Sequence, residues 1–232
     1  MKVLGIVTAR GGSKGVPRKN ITLVAGKPVL QYTAEVALAA RRLSRVVLST
    51  DDEEIARVGR TCGLDVPFMR PADLARDDTP TIPVLQNVVG RLAEGGEVYD
   101  AVFTLQPTNI FRRVDDIDGS IDLLERSGAD SVISFVDVEA YHPARMKRID
   151  DAGRVIDPPF AEGREGQRRQ ELPKYFLREG SVYLTRTRVL LEENSLKGKD
   201  CRAWLIPRER SYAIDEPFDL FLVEQIIKYY GW

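Results

Sequence analysis

The stretch Val3–Asn20 reads VLGIVTARGGSKGVPRKN and joins a continuous apolar run to a loop rich in glycine and cations. The run Val3–Val7 is typical of a strand buried on both faces, as in a parallel sheet covered by helices. Four Lys or Arg residues follow within residues 10–19, and the first acidic residue of the chain is Glu35. Open α/β sheets bind ligands at the carboxyl ends of their strands, so this loop predicts an anion site.

The rest of the chain repeats the alternation of buried strand and amphipathic helix. Further strands are predicted at 46–50, 101–105, 131–136, 181–185 and 202–206. Helices are predicted at 28–43, 51–61, 79–92, 115–126, 188–193 and 217–230. This alternation predicts an α/β fold with a mostly parallel sheet and helices on both faces. No shift in composition divides the chain, so residues 1–232 are predicted to form a single domain.

Residues 137–180 interrupt the alternation and are rich in Asp, Gly, Pro and Arg. One interpretation is a long surface loop or ribbon. The other is an arm that leaves the domain to reach a partner subunit, because long ordered insertions in compact domains tend to be functional.

Composition excludes several classes of protein. The formal net charge of the 232 residues is -1, which argues against a nucleic-acid coat or a basic membrane surface. The only histidine is His142, so a zinc site built from histidines and a Ser-His-Asp triad lack raw material. Cys62 and Cys201 form no CxxC motif and are expected to be free thiols. No apolar run approaches the ~20 residues that cross a bilayer, and the N-terminus lacks signal-peptide features, so a cytoplasmic location is expected.

The glycine loop matches neither of the two commonest phosphate loops. It contains no GxxxxGK[ST], and its glycines at 11, 12 and 15 have the wrong spacing for GxGxxG. Gly11 and Gly12 would let backbone N–H groups approach phosphate oxygens, and the cations around them would neutralise a triphosphate. The alternative is a solvated basic turn.

The basic loop resembles the N-terminal signature of the acylneuraminate cytidylyltransferases, the CMP-sialic acid synthetase family. The residues that carry the resemblance are Arg10, Ser13, Lys14, Gly15, Pro17, Lys19 and Asn20. Six further segments are similar to motifs of that family and follow in the same order. They are Ser49–Asp52, Arg70–Thr81, Leu105–Arg112, Arg169–Pro173, Gly180–Tyr183 and Ile214–Asp219. The resemblance spans almost the whole chain, and seven motifs in order are more specific than any one of them.

The resemblance implies a Rossmann-like fold and a reaction in which CTP and a sialic-type sugar acid give the CMP-sugar and pyrophosphate. It implies Mg²⁺ as the cofactor and a homodimer built through the arm at about 137–180. The expected partners are CTP and an acidic sugar acceptor, with no nucleic acid and no membrane.

The family's functional residues carry over onto matching positions of this chain. The expected nucleotide-binding residues are Arg10, Gly11, Gly12, Lys14, Lys19, Asn20, Arg70, Thr79 and Thr81. The expected acceptor-binding residues are Gln106, Arg169 and Tyr183. The expected catalytic residues are Arg10, Lys14, Arg169 and Asp215. Arg10 and Lys14 would stabilise charge on the α-phosphate and the leaving pyrophosphate.

Asp215 is also the expected metal ligand, since Mg²⁺ takes one or two carboxylates together with phosphate oxygens. Five of the expected site residues also have a simpler alternative role. These are an Asx turn for Asn20, a strand end for Gln106, an exposed arginine for Arg169, a core tyrosine for Tyr183 and a helix cap for Asp215.

Four positions in three motifs depart from the family's pattern. Ala213 stands where the first Asp of D-I-D is usual, so Asp215 would hold a single Mg²⁺, or another carboxylate such as Asp51 would help. Asn109-Ile110 replaces the usual Ser-Pro, and Glu179 replaces the usual Asn. A negative charge at 179 would disfavour an acidic acceptor unless Arg178 or Arg169 pairs with it. The expected acceptor is therefore a sugar acid other than plain N-acetylneuraminate.

Two other functions remain open from the residues alone. One is a nucleotidyltransferase of the same fold with another acceptor, such as a 3-deoxy-octulosonate, a sugar phosphate or a phosphonate. The other is a nucleotide-binding protein without catalysis, for which Ala213 is the only support.

Overall fold

The computed structural model describes residues 1–232, apart from the side chain at position 139. Its strands are β1 Val3–Thr8, β2 Leu23–Val24, β3 Lys27–Pro28, β4 Arg45–Ser49, β5 Ala101–Leu105, β6 Ser131–Asp137, β7 Arg148–Ile149, β8 Val155–Ile156, β9 Phe176–Arg186 and β10 Cys201–Leu205. Its α-helices are α1 Val29–Ala39, α2 Glu53–Thr61, α3 Thr81–Glu94, α4 Val114–Ser127, α5 Thr187–Glu192 and α6 Pro217–Tyr230.

Six strands form the central sheet in the order β10-β6-β9-β5-β1-β4. All neighbouring pairs are parallel except those of β9, which runs antiparallel to both β5 and β6. The predicted α/β fold with a mostly parallel sheet is therefore confirmed.

Strand β1 shows how the two faces of the sheet are covered. Successive side chains of a strand point to opposite faces. Val3 and Val7 belong to the core that also holds the apolar residues of α1 and α4. Leu4 and Ile6 belong to the core that holds those of α3 and α5. Helices thus lie on both faces, and β1 is buried between them as its continuous apolar run predicts.

Local polar contacts set the end of helix α1 and the beginning of helix α2. Helix α1 ends at Ala39, not at the predicted residue 43, because Ala40 is extended and the Asp118 carboxylate accepts the backbone N–H groups of Arg41 and Arg42. Helix α2 begins after Asp52, whose carboxylate accepts the backbone N–H groups of Glu54 and Ile55 as an N-cap.

The segment that leaves the sheet is 138–175, because Asp137 still belongs to β6 and β9 begins at Phe176. It contains the small hairpin β7–β8 and three short 3₁₀ turns. It exposes large apolar side chains, among them Tyr141, Ile149, Val155 and Phe160. That this arm contacts another subunit stays a prediction, as does the assignment of the chain to one domain.

Among the described residues, no helix has the length and apolar character needed to cross a bilayer. The expected cytoplasmic location stays a prediction.

Candidate functional site

A cavity of about 740 Å³ opens at the carboxyl ends of β1 and β5, where the sheet architecture predicts a ligand site. Eleven of the predicted site residues line it: Arg10, Gly12, Lys14, Lys19, Asn20, Arg70, Thr79, Thr81, Gln106, Tyr183 and Asp215. Gly11 and Arg169 do not line it. The structure therefore brings residues from the first 20 positions together with residues from 70–81, 106, 183 and 215.

The basic loop is held against the chain's C-terminal region at Gly15. A Cβ built on Gly15 would lie 2.0 Å from the backbone oxygen of Asp215, so only glycine allows this approach. Asn20 is buried, and its Nδ2 donates a 3.0 Å hydrogen bond to the backbone oxygen of Arg10. Asn20 thus fixes the loop backbone at the residue that carries the first cation, and is not the Asx turn of the alternative interpretation.

Asp51 holds the other side of the loop. Its Oδ1 accepts a 3.0 Å hydrogen bond from the backbone N–H of Gly11, which is why that N–H is turned away from the cavity. Asp51 does not line the cavity, and its contact with Gly11 gives it a role in the geometry of the loop.

Arg10 and Lys14 converge on one carboxylate. Arg10 Nη1 lies 3.0 Å from Oδ1 of Asp77, and Lys14 Nζ lies 3.2 Å from Oδ2 of the same residue. Arg10 Nη1 also donates a 2.8 Å hydrogen bond to the backbone oxygen of Arg76. Two cations predicted to bind phosphate thus already share an anion supplied by the chain.

Arg70 is buried at the base of the cavity. Its Nε donates to Ser49 Oγ at 3.1 Å, and its Nη2 donates to the Ser49 backbone oxygen at 2.7 Å. Burial lowers its pKa to about 10, against a raising effect of Asp51 and a further lowering by Arg10. The side chain stays cationic at neutral pH, and its position is fixed by β4.

Lys19 and Asp215 form an ion pair at the mouth of the cavity. Lys19 Nζ lies 3.0 Å from Asp215 Oδ1 and donates a 2.8 Å hydrogen bond to the backbone oxygen of Ile214. The Asp215 side chain is 77% exposed, so it can reach a ligand in the cavity. The helix-cap alternative for Asp215 is wrong, because Glu216 is the N-cap of α6 and Asp219 completes its capping box.

The side chains of the site fit one metal ion that is held by a carboxylate and by phosphate oxygens of a bound nucleotide. Ala213 lines the cavity beside Asp215 and has no side-chain oxygen to offer. Among the described residues, no group of three or more His, Cys, Asp or Glu side chains is placed to hold a metal. One exposed carboxylate together with phosphate oxygens matches the way Mg²⁺ is usually bound at nucleotide sites.

A bulge in β9 shapes the opposite wall. Strand β6 pairs Ile133 with Tyr183 but Phe135 with Arg178, so residues 179–182 lie opposite Ser134 alone. The Ser134 hydroxyl fills the gap: it lies 2.9 Å from the backbone oxygen of Glu179 and accepts the N–H of Val182 at 2.8 Å. Bulges of this kind redirect side chains and occur often beside active sites.

The bulge turns Glu179 into the protein and Gly180 into the cavity. Oε1 of Glu179 accepts hydrogen bonds from Asn109 Nδ2 at 3.1 Å and from Ser181 Oγ at 2.7 Å, and Oε2 accepts the N–H of Ser181 at 2.8 Å. The expectation that Glu179 confronts the acceptor or pairs with Arg178 or Arg169 is therefore wrong. A Cβ on Gly180 would lie 2.5 Å from Oδ1 of Asn109, so a larger residue there would have to displace the Asn109 side chain.

Arg112 lies beneath this wall, and its positive charge offsets the negative charge of the nearby Glu179. The side chain is buried and donates to the backbone oxygens of Ser181 at 2.6 Å and Gln106 at 3.0 Å. Burial lowers its pKa to about 10, while the nearby Glu179 and Asp116 act in the opposite direction. Arg112 thus ties the end of β5, which carries Gln106, to the bulge in β9.

A second cavity of about 690 Å³ adjoins the first. Arg178 and Tyr183 line both cavities. The guanidinium of Arg178 lies 6.0 Å from the centre of the Tyr183 ring. Burial raises the pKa of the Tyr183 hydroxyl, so this phenol is neutral over the physiological range. Further lining residues of the second cavity are Ile82, Ile133, Phe135, Asn194, Leu196 and Lys197.

Several residues of the site were not predicted to have a role there. Asp77, Arg178 and Asn109 line the main cavity. Their signals were present, since Asp77 lies within the motif segment Arg70–Thr81 and Arg178 immediately precedes Glu179. The missing information was three-dimensional: the contact of Asp77 with the loop joins residues more than 60 positions apart.

Known proteins are similar to this chain in sequence and in fold. A family model described as cytidylyltransferase matches residues 4–198. A CMP-N,N'-diacetyllegionaminic acid synthase of Legionella pneumophila is 31% identical over 98% of this chain and 97% of its own length. A pseudaminic acid cytidylyltransferase of Campylobacter jejuni is also 31% identical, over 98% of this chain and 97% of its own.

Among solved structures, a CMP:2-keto-3-deoxy-manno-octonic acid synthetase complexed with CTP superposes with a TM-score of 0.74 at 18% identity. It covers 99% of this chain and 100% of that one. At this identity the superposition shows the shared fold. The family match over most of the chain, together with relatives of nearly equal length, shows that the chain belongs to the cytidylyltransferase family.

Proposed function

We propose that this nucleotidyltransferase moves CMP from CTP to the anomeric hydroxyl of a nonulosonic sugar acid and releases pyrophosphate. The hydroxyl oxygen forms a bond to the α-phosphorus while the bond from that phosphorus to the bridging oxygen of pyrophosphate breaks, and the hydroxyl proton is lost. The observation that carries the proposal is the single cavity that holds Arg10, Lys14 and Arg70 together with Gln106 and Tyr183. The activities for which two relatives of 31% identity are named support it.

The cations of the loop would carry the nucleotide half of the reaction. Arg10 and Lys14 would lie against the phosphates and stabilise the charge that develops on the leaving pyrophosphate. Arg70 would add a fixed cation at the base, since Ser49 holds two of its nitrogens. Thr79 and Thr81, at the start of α3, would line the nucleotide pocket.

Mg²⁺ would be held by Asp215 together with oxygens of the triphosphate. When bound, it would neutralise phosphate charge and orient the leaving group. Lys19 would keep Asp215 at the cavity through the 3.0 Å contact between Nζ and Oδ1. The residue that takes the proton from the acceptor hydroxyl is not assigned.

The acceptor would lie across Gln106 and Tyr183, between the two cavities. The exposed Arg178 guanidinium offers a charged partner for its carboxylate. The apolar part of the second cavity, with Ile133, Phe135 and Leu196, suits acylamino or deoxy substituents of the sugar. These features favour a modified nonulosonate over plain N-acetylneuraminate as the acceptor.

The arm would form a homodimer and bring Arg169 to the site of the partner. Arg169 lies in an exposed 3₁₀ turn of the arm and does not line the cavity of its own chain. The arm exposes Tyr141, Ile149 and Val155, each more than 65% accessible, and exposed apolar side chains grouped in this way mark interaction surfaces.

Release of pyrophosphate from CTP and Mg²⁺ tests the reaction. The acceptor panel contains N-acetylneuraminate, diacetylated legionaminic and pseudaminic acids, and a 3-deoxy-octulosonate. The expected result is fastest release with a diacetylated nonulosonate. Preference for the octulosonate would favour the other-acceptor alternative, and CTP binding without release for any acceptor would favour a non-catalytic binder.

Mixing two variants tests the arm. Arg169→Ala and Asp215→Ala are each expected to abolish most turnover. If Arg169 acts across a dimer, hybrids formed by subunit exchange contain one site with both native residues and regain activity. Absence of regained activity in exchanged dimers, or a monomer by light scattering, would contradict this role.

A further inference from the structure

The loop between residues 75 and 80 carries a carboxylate into the cation cluster of the site. The two oxygens of Asp77 are divided between two partners, with Arg10 Nη1 at 3.0 Å from Oδ1 and Lys14 Nζ at 3.2 Å from Oδ2. All three side chains line the main cavity. A carboxylate that bridges two cations in this way uses the same donors that a phosphate group would use.

The neighbouring contacts place the loop but do not lock it. Arg10 Nη1 donates to the Arg76 backbone oxygen at 2.8 Å, and the Thr79 hydroxyl donates to the Asp73 backbone oxygen at 3.3 Å. The Asp77 side chain is 45% exposed, so it can turn out into solvent. Movement of Asp77 away from the cations therefore costs chiefly its two ion pairs.

The geometry points to Asp77 as an internal anion that competes with the triphosphate of CTP and with pyrophosphate for Arg10 and Lys14. This inference rests on the proposed function, which gives those two cations to the phosphates. A ligand that reaches both cations must displace Asp77, so its affinity is reduced by the cost of that displacement. A ligand without phosphate groups, such as cytidine, does not engage them and binds without that cost.

The same contact favours product release. After transfer, pyrophosphate no longer has a covalent link to the nucleotide, and Asp77 can return to Arg10 and Lys14 as pyrophosphate leaves. Asp77 thus weakens CTP binding and also limits inhibition by pyrophosphate. Asp77 acts on the binding of phosphate groups through Arg10 and Lys14.

Calorimetric binding of pyrophosphate, CTP and cytidine at a fixed Mg²⁺ concentration tests the inference. Asp77→Asn keeps the size of the side chain and removes its charge. Asp78→Asn is the matched control, because it removes the same charge from the next residue, which makes no ion pair among the described side chains. Asp77→Glu keeps the anion and is expected to behave like the native chain.

Asp77→Asn removes two exposed ion pairs that compete with the phosphates. The Kd for pyrophosphate and for CTP is therefore expected to fall about three- to tenfold. The Kd for cytidine is expected to stay within about twofold, as are all three Kd values in Asp78→Asn. In steady-state assays, the inhibition constant of pyrophosphate should fall in Asp77→Asn by the same factor as its Kd.

Unchanged or weaker binding of pyrophosphate and CTP by Asp77→Asn, with normal CTP binding by the native chain, would overturn this inference and leave the proposed function standing. Equal tightening in Asp78→Asn would also overturn it, because the effect would then be one of net charge. If the native chain bound neither CTP nor pyrophosphate, the proposed function would fail and the inference with it.

Discussion

Asn109 donates a 3.1 Å hydrogen bond to Glu179 across the base of the candidate acceptor site. These are two of the positions at which the chain departs from the motifs of its family. The structure makes them one contact: the carboxylate that replaces an amide at 179 is met by an amide at 109. Two changes that look independent along the sequence therefore compensate each other.

A double-mutant cycle on this pair is expected to show coupling. Asn109→Ser removes a donor to a buried carboxylate, and Glu179→Asn withdraws the acceptor from Ser181. Each single change should lower the free energy of unfolding by about 1–3 kcal/mol, because a buried group loses its partner. The double variant, with the family's usual residues at both positions, should lose less than the sum by about 0.5–3 kcal/mol. Urea unfolding measures all four proteins, and strictly additive losses would show that the two side chains act separately.

Arg210→Ala is expected to destabilise the protein strongly. The side chains of Arg210 and Asp116 are 10% and 4% exposed and form an ion pair, and Trp204 Nε1 also donates to Asp116 at 3.0 Å. Loss of one partner of a buried pair costs about 3–5 kcal/mol, because it leaves an uncompensated buried charge. Urea unfolding at neutral pH measures the loss, and Arg57→Ala, at an exposed position of α2, serves as the control.

The same pair predicts a pH dependence. Burial alone would raise the pKa of Asp116, but hydrogen bonds from Arg210, Trp204 and the Arg113 backbone outweigh it and lower the pKa. A carboxylate whose pKa is lower in the folded chain stabilises it at neutral pH, and this stabilisation is lost as the pH falls through the folded-state pKa. In Arg210→Ala, protonation of Asp116 instead relieves a buried charge. The stability gap between the native chain and Arg210→Ala should therefore narrow in acid, and a gap that widened would contradict this assignment.

Gly15→Ala is expected to lower activity strongly, because it moves the loop away from Asp215 without removing a functional side chain. The added Cβ would lie 2.0 Å from the Asp215 backbone oxygen, so the loop and Asp215 must separate. Misplacement of catalytic groups by about 1 Å can cost about 100-fold in rate, which sets the expected loss in kcat/KM.

The control for this variant is Gly90→Ala in α3, where a Cβ meets no atom within 4 Å. It should keep full activity and gain about 0.5–1 kcal/mol in the free energy of unfolding. Near-native activity of Gly15→Ala would mean that the loop and Asp215 need not touch.

The sequence predicted well those features that depend on local pattern. The apolar run of β5 matches the observed strand Ala101–Leu105, and the apolar spacing of α6 matches Pro217–Tyr230. It predicted the cavity position because carboxyl ends of parallel strands meet at one edge. The bulge in β9 was not predicted. It depends on the Ser134 hydroxyl of β6, and within β9 only residues 181–185 show an apolar pattern.

Charges in the site were predicted less well than positions. Glu179 was expected to face the acceptor because it is adjacent to Gly180, but the bulge turns the two in opposite directions. Asp77 was part of a recognised motif without a role, and only the fold shows that its carboxylate meets Arg10 and Lys14. Pairing between distant charged residues has no periodic signature in a single sequence.

Ala213→Asp is expected to strengthen the dependence of CTP binding on Mg²⁺. Ala213 and Asp215 line the same cavity, and the family's usual pattern has a carboxylate at both positions. A second carboxylate adds an oxygen ligand for Mg²⁺, so the half-saturating Mg²⁺ concentration should fall. Without Mg²⁺ the added negative charge should weaken CTP binding by repulsion of the triphosphate. Calorimetric titration of CTP over a series of Mg²⁺ concentrations, with no acceptor present, measures both effects. Asp215→Asn should shift the Mg²⁺ dependence the opposite way. If neither substitution moved it, the ion would have to be held elsewhere, and Asp215 would serve only to hold Lys19 at the cavity mouth.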